Sequence, residues 1–245
     1  MKGWLLSGVI VLVAAVAAGA EDAGLFNDLE GTEVSDGETI RLLGVFPAAL
    51  PEEIKHGSFR VLSPKDGRTR YGEVLAHVIL SDGAWLQNTL VSEGRAIVMP
   101  VYERDDQRLQ VLLAAEDAAR EAKVGLWRKS PVVCADNAKR AFDTFAIIQG
   151  RITEAADVRG TIYLNFGDDY RKDFTIKFTR SSFKRLPEET RAQITRLTEG
   201  AEPDTMVEAR GWVFYSGGPM IEVKTPVQIR FLDQPFGLQE ERCGS

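Results

Sequence analysis

Apolar residues recur along this chain at two spacings, alternate positions as in a half-buried strand and steps of three and four as in an amphipathic helix. Alternation predicts strands over 39–45, 58–62 and 73–80, set off by the turn signals Asp36-Gly37, Lys65-Asp66-Gly67 and Ser81-Asp82-Gly83. A short helix over 85–93 follows, closed by Gly94. Leu109, Leu112, Leu113, Ala115 and Ala119 fall on one face and predict a long helix over 107–123, with Asp105 or Asp106 as N-cap and Gly125 as its stop. Further on, strands are expected over 145–153, 161–166 and 174–179, then a helix over 187–199 that buries Ile194 and Leu197, then strands over 207–215 and 220–231. Ile162, Leu164 and Phe166 share a face, as do Phe174, Ile176 and Phe178, so both sets read as core.

Three strands, a helix and two strands is the order of a five-stranded, partly open OB-type barrel. Ser130-Pro131 and the polar Ala135-Asp136-Asn137 mark a seam between two modules. The predicted organisation is a leader over 1–20, a first module over 21–130, a linker over 131–140, a second module over 141–235 and a tail over 236–245. In the second module, Gly217-Gly218 reads as a wide turn, and Trp212 is expected to pack over the barrel end.

The leader rests on Lys2, a continuous apolar run from Trp4 to Val16 and the small-residue pattern Ala18-Gly19-Ala20. The run is shorter than a membrane span needs. It predicts export, with cleavage after Ala20, to the periplasm or the exterior. In an oxidising compartment the two cysteines, Cys134 and Cys243, are either one disulfide tying the tail to the middle of the chain or two unpaired thiols. Neither has neighbours at zinc-site spacing.

Charge then narrows the chemistry. The chain carries a net −6, with 13 basic against 19 acidic residues in 21–135 and 16 against 17 in 136–245. Phosphate neutralisation supplies most nonspecific affinity for nucleic acid, so the acidic first module is an unfavourable nucleic-acid surface.

Against that charge stands a set of motifs: Asp36-Gly37-x-x-Ile40-Arg41-Leu42-Leu43-Gly44-Val45, Tyr71-Gly72-Glu73-x-Leu75-Ala76, Asp82-Gly83, Leu90-Val91-x-x-Gly94-x-Ala96, Ala115-Glu116-x-x-Ala119-Arg120 and Gly125-Leu126-Trp127. Over about residues 31–128 this order resembles the staphylococcal nuclease family, whose own barrel is OB-like. The resemblance implies a mainly β fold with helices (α+β), two OB-type barrels in tandem, the first closed by C-terminal helices. It also implies calcium held by carboxylates, a glutamate general base and two arginines that neutralise the transition state. The first arginine matches Arg41. The calcium-binding aspartate falls at Phe46, the base at Ala48 or Ala49, and the second arginine at Glu73. The segment between Ala49 and Ser58 is too short for the family's first helix, and Asp36-Gly37-Glu38-Thr39 reads as a hairpin turn and not a calcium loop.

Loss of a general base alone costs about 10²–10⁴-fold. The expectation is therefore a nuclease-like scaffold without cofactor that has become a binding module, with an envelope protein as partner. Two alternatives remain open. One is a phosphodiesterase, calcium-dependent or with a rebuilt site among Glu38, Glu52, Glu53 and Glu73. The other is single-stranded nucleic-acid binding on the second module through Tyr163, Arg171, Lys172 and Lys177, with Tyr170 a further stacking candidate. Of the two histidines, His77 reads as a packed or edge residue and His56 as a loop residue.

Overall fold

Val74, Ala76 and Val78, at alternate positions, are at most 1% exposed and turn one face of strand Val74–Leu80 into the first core. In the computed structural model, which describes residues 24–35, 38–47, 51, 58–103, 106–169, 171–200 and 205–233, this strand is central. It pairs antiparallel with Phe59–Ser63 and parallel with Ile40–Leu42, and Glu30–Gly31 forms the far edge of the four-stranded sheet. The two expected helices are present as Leu86–Ser92 and Asp106–Glu121. The longer one presses Leu109, Leu112 and Leu113 into the same cluster as Val78, Leu90 and Val91.

The two helix ends meet backbone to backbone. Leu126 N–H donates to the Gly94 carbonyl at 2.8 Å. Gly94 (φ +64°) and Gly125 (φ +52°) both lie in the left-handed region, and a Cβ on either would stand 2.4 Å from a carbonyl oxygen of the other segment. Both positions require glycine for conformation and for space.

The second module repeats the logic with a longer circuit. Strand Phe145–Arg151 pairs antiparallel with Met206–Trp212. After Val213 the chain enters Phe214–Tyr215, which pairs with Pro219–Val223. That strand runs parallel to Thr175–Phe178, which pairs with Thr161–Asn165, which pairs in turn with Glu154–Val158. Glu154–Val158 follows Phe145–Arg151 after two residues, so the chain passes there from the four-stranded sheet into the five-stranded one. The core of the second module holds Ile162, Leu164, Phe166, Phe174, Ile176 and Phe178, as their alternation predicts. Several details differ, among them the span expected as one strand over 207–215, which is divided at Val213 between two sheets. Glu154–Val158 is an additional strand, Arg180–Lys184 an additional short helix, and the span expected as one strand over 220–231 is divided by the turn Pro226–Gln228.

The residues expected as a linker are built into the sheet. Val132–Cys134 pairs parallel with Ile147–Gln149, and the 3₁₀ turn Ala135–Ala141 buries Ala135, Ala138 and Ala141 in the second core. A further apolar cluster joins the modules, with Ile97, Met99, Ala119 and Trp127 from the first against Val132, Phe145 and Ile147 from the second. Trp212 does not cap a barrel. It stays 49% exposed, its indole N–H directed at Asp143 Oδ1 at 3.3 Å. Cys134 is buried and carries no free thiol, while Cys243, like the leader, Asp36-Gly37, Ala48, Ala49, Glu52, Glu53, His56, Asp105 and Tyr170, lies outside the described residues.

Candidate functional site

Arg41 and Glu73 come together because Glu73 immediately precedes strand Val74–Leu80, which lies beside Ile40–Leu42 in parallel register with Arg41 opposite Leu75. Arg41 Nε donates to Glu73 Oε2 and Nη2 to Oε1, both at 2.8 Å, a two-point fork. Thr69 Oγ1 adds a third hydrogen bond to Glu73 at 3.1 Å. The Arg41 hydrogen bonds hold the Glu73 carboxyl below its usual range, and Glu73 in turn raises the guanidinium. Glu73, the residue expected to stand for the second arginine, therefore engages Arg41 through both carboxylate oxygens.

Phe46, the residue expected to stand for the calcium aspartate, has an apolar setting. Its ring lies 5.8 Å from that of Phe145 and packs against the cluster that joins the modules. Among the described residues, Glu73 is the carboxylate that meets Arg41, engaged through both oxygens, and hard cations need several oxygen ligands. Among the described residues no group of three or more His, Cys, Asp or Glu side chains converges. The Arg41 side chain remains 37% exposed, which places the pair near the surface, where ion pairs contribute about 0–1 kcal/mol. Replacement of Glu73 by Ala is accordingly expected to shift the unfolding free energy by no more than about 1 kcal/mol, checked by chemical denaturation.

Of the second-module residues, Tyr163 and Lys177 stand opposite each other in register and line one concavity. Arg171 and Lys172 do not join them. They sit on the turn after Asp169, with Lys172 Nζ 3.0 Å from Asp169 Oδ2. Lys177 is itself neutralised by Glu222 at 3.1 Å. The four side chains do not form a basic track.

Two buried polar networks went unpredicted. In the first module, His77 is fully buried; its Nε2 lies 2.6 Å from Glu103 Oε2, and Gln87 Nε2 lies 3.3 Å from its Nδ1. These partners fit a neutral ring protonated at Nε2, and burial pushes the imidazole pKa down despite Glu103. Arg108 links Glu103 to Asp28 and to the Leu25 carbonyl, so the segment with Phe26 is clamped over His77 and Trp85.

The second network crosses between modules. Arg210 Nη2 donates to Glu116 Oε1 and to Glu208 Oε1, both at 2.8 Å, and Arg120 Nη1 donates to Glu208 Oε2 at 2.9 Å. All four side chains are at most 2% exposed. Gln149 also donates to Glu208, and the Val98 N–H to Glu116. Burial by itself would raise the Glu208 carboxyl, but Arg210, Arg120 and Arg230 outweigh it and hold it down to about 2. A signal existed for half of this cluster, since Glu116 and Arg120 lie on the helix stripe that also carries Leu109, Leu112 and Ala119.

The family match falls on the first module. Residues 50–129 match the family described as staphylococcal nuclease homologue. Endonuclease YncB of Bacillus subtilis (strain 168) is 38% identical over 68 residues, 28% of this chain and 32% of that protein. The SPbeta prophage-derived endonuclease YokF of the same organism is 37% identical over 68 residues, 28% of this chain and 23% of that protein. The matches thus span about a quarter to a third of these relatives. Glu73 lies inside the family match and Arg41 before it. The chain carries a staphylococcal nuclease-like domain, in a fold of many strands and few helices.

Proposed function

We propose that this protein is an exported, nuclease-like protein whose domain does not hydrolyse phosphodiesters and serves as a binding and scaffolding module, with an envelope protein as its partner. The observation that carries this reading is the two-point clamp of Arg41 by Glu73. An arginine that must neutralise a transferring phosphate has to be free to point at it, and a carboxylate in the second arginine's place adds a repulsion of like sign. Phe46 and the alanines at 48 and 49 supply no oxygen ligand and no base. Export is supported by the leader pattern over 1–20, and no helix among the described residues is long and apolar enough to cross a membrane.

The names of the two Bacillus relatives favour a second reading, a phosphodiesterase, and one experiment separates the two. The mature chain is incubated with single-stranded DNA and with RNA, with calcium and with chelator. The expected result is no calcium-dependent cleavage, unchanged on replacing Glu73 by Arg, because that change restores one arginine but neither the base nor the ligands. Calcium-dependent cleavage lost on Arg41→Ala would overturn the proposal.

A further inference from the structure

We propose that one end of the four-stranded sheet in the second module docks on the anionic headgroups of a lipid bilayer. The inference is independent of whether the first module hydrolyses phosphodiesters, and it describes a peripheral contact that needs no membrane span.

Residues 122–145 hold five basic and two acidic side chains, in a chain whose net charge is −6. Folding gathers that excess at one place. Phe145 opens strand Phe145–Arg151 with Trp212 opposite it. On the other side Val132 stands opposite Ile147 in parallel register, so Arg128 and Lys129, which lead into Val132–Cys134, arrive at the same end of the sheet. With strands roughly 4.8 Å apart, two spacings separate this approach from Trp212, about 10 Å. The 3₁₀ turn Ala135–Ala141 then sinks its three alanines into the core, leaves Lys139 and Arg140 exposed, and carries the chain back to that end. Asp143 fixes the return. Its N–H donates to the Val213 carbonyl at 2.9 Å, and its carboxylate accepts the Trp212 indole N–H.

Two properties of this end point to lipid. Three large apolar side chains stay uncovered there, Leu126 at 44%, Phe142 at 57% and Trp212 at 49%. Among the described residues, the side chains of Arg128, Lys129, Lys139 and Arg140 have no ion-pair or hydrogen-bond partner. Asp136 and Asp143 are the acids of this stretch, so the cations stay in excess. Interfacial binding uses this combination: apolar tips enter the headgroup layer while Lys and Arg stems reach along it to the lipid phosphates. Tryptophan is favoured at that depth. A single nucleic-acid strand is held instead by rings that stack on successive bases along a basic groove. Here the aliphatic Leu126 offers no ring, and the indole edge of Trp212 is tied to a carboxylate that repels a phosphate chain.

The test sediments the full mature chain with vesicles of phosphatidylcholine alone and of an equal mixture with phosphatidylglycerol, at low and high salt, beside a titration with oligothymidylate. Binding to the mixed vesicles is expected, weakened by salt, about tenfold weaker without phosphatidylglycerol and accompanied by a blue shift of tryptophan emission. Lys129→Gln combined with Arg140→Gln should weaken it about ten- to thirtyfold, at roughly fivefold per cation. Trp212→Ala should weaken it about five- to tenfold and remove the blue shift. Both cations are exposed, so the charge variant keeps the test decisive if Trp212→Ala fails to fold. Absence of binding to the mixed vesicles overturns the proposal, as does binding that the charge variant leaves unchanged. Tighter, salt-sensitive binding of oligothymidylate that the charge variant abolishes also overturns it, in favour of a nucleic-acid surface. None of these outcomes reads phosphodiester cleavage or a protein partner, so a failed lipid contact leaves the non-hydrolytic reading standing.

Discussion

Replacing Arg210 by Ala is expected to lower the unfolding free energy by about 3–5 kcal/mol, the usual cost of stranding buried charges. Arg210 is the cation that Glu116 and Glu208 share, and its truncation leaves two carboxylates with Arg120 as the remaining fully buried cation. The loss is larger than for any surface pair, because neither carboxylate can be rehydrated without parting strand Met206–Trp212 from helix Asp106–Glu121. Chemical denaturation followed by both intrinsic fluorescence and circular dichroism measures it. A loss below about 1 kcal/mol would mean that water reaches the cluster, contrary to its burial. Charge removed in pairs should cost less than the sum of single changes. A double Glu116→Gln, Arg210→Met variant should therefore fall short of additivity, since the second change removes a partner already lost.

The second large effect is on acid stability. The Glu208 carboxyl is held down to about 2 in the fold, against 4.5 for an unconstrained glutamate. A depressed acid contributes stability that is fully present above 4.5 and is lost as pH falls through about 2, because the unfolded chain takes up the proton first. Integrated over that window the contribution is roughly 3 kcal/mol. A plot of unfolding free energy against pH should slope downward there, and Glu208→Gln should flatten the slope while lowering stability at neutral pH. His77 acts in the same sense. Its depressed pKa contributes stability above 6.5 that declines on acidification, as the unfolded chain protonates before the buried ring does.

Most regular elements could be read from local pattern, because strand alternation and glycine stops act over a few residues. Leu109, Leu112 and Leu113 placed the long helix, and the six apolar residues of 162–178 placed the second core. What escaped depends on partners far along the chain. Glu208 and Arg210 alternate with Val207 and Ala209, the pattern of a strand with one wet face, yet that face is covered by the other module. Residues 131–140 read as a linker from their proline and polar residues, although Ala135, Ala138 and Ala141 recur at three, the period of a 3₁₀ turn. Glu154–Val158 has no alternation to find; it becomes a strand because Thr161–Asn165 folds back on it. At the candidate site, sequence gave Glu73 as a repulsive charge toward phosphate. The register that lays it against Arg41 comes from two strands 32 residues apart and needed the fold.

The ionic character of the contact between modules has a meaning during synthesis. Arg120 precedes its partner Glu208 by 88 residues. At about 5–20 residues per second, the long helix waits on the order of 4–18 s before the strand that covers it leaves the ribosome. An apolar patch exposed for that time would invite association with other nascent chains. A glutamate and an arginine one helical turn apart wait fully hydrated at little cost, and they surrender their water when the right counter-charges arrive. The covering strand thus meets a charged site beside the apolar cluster that also joins the modules.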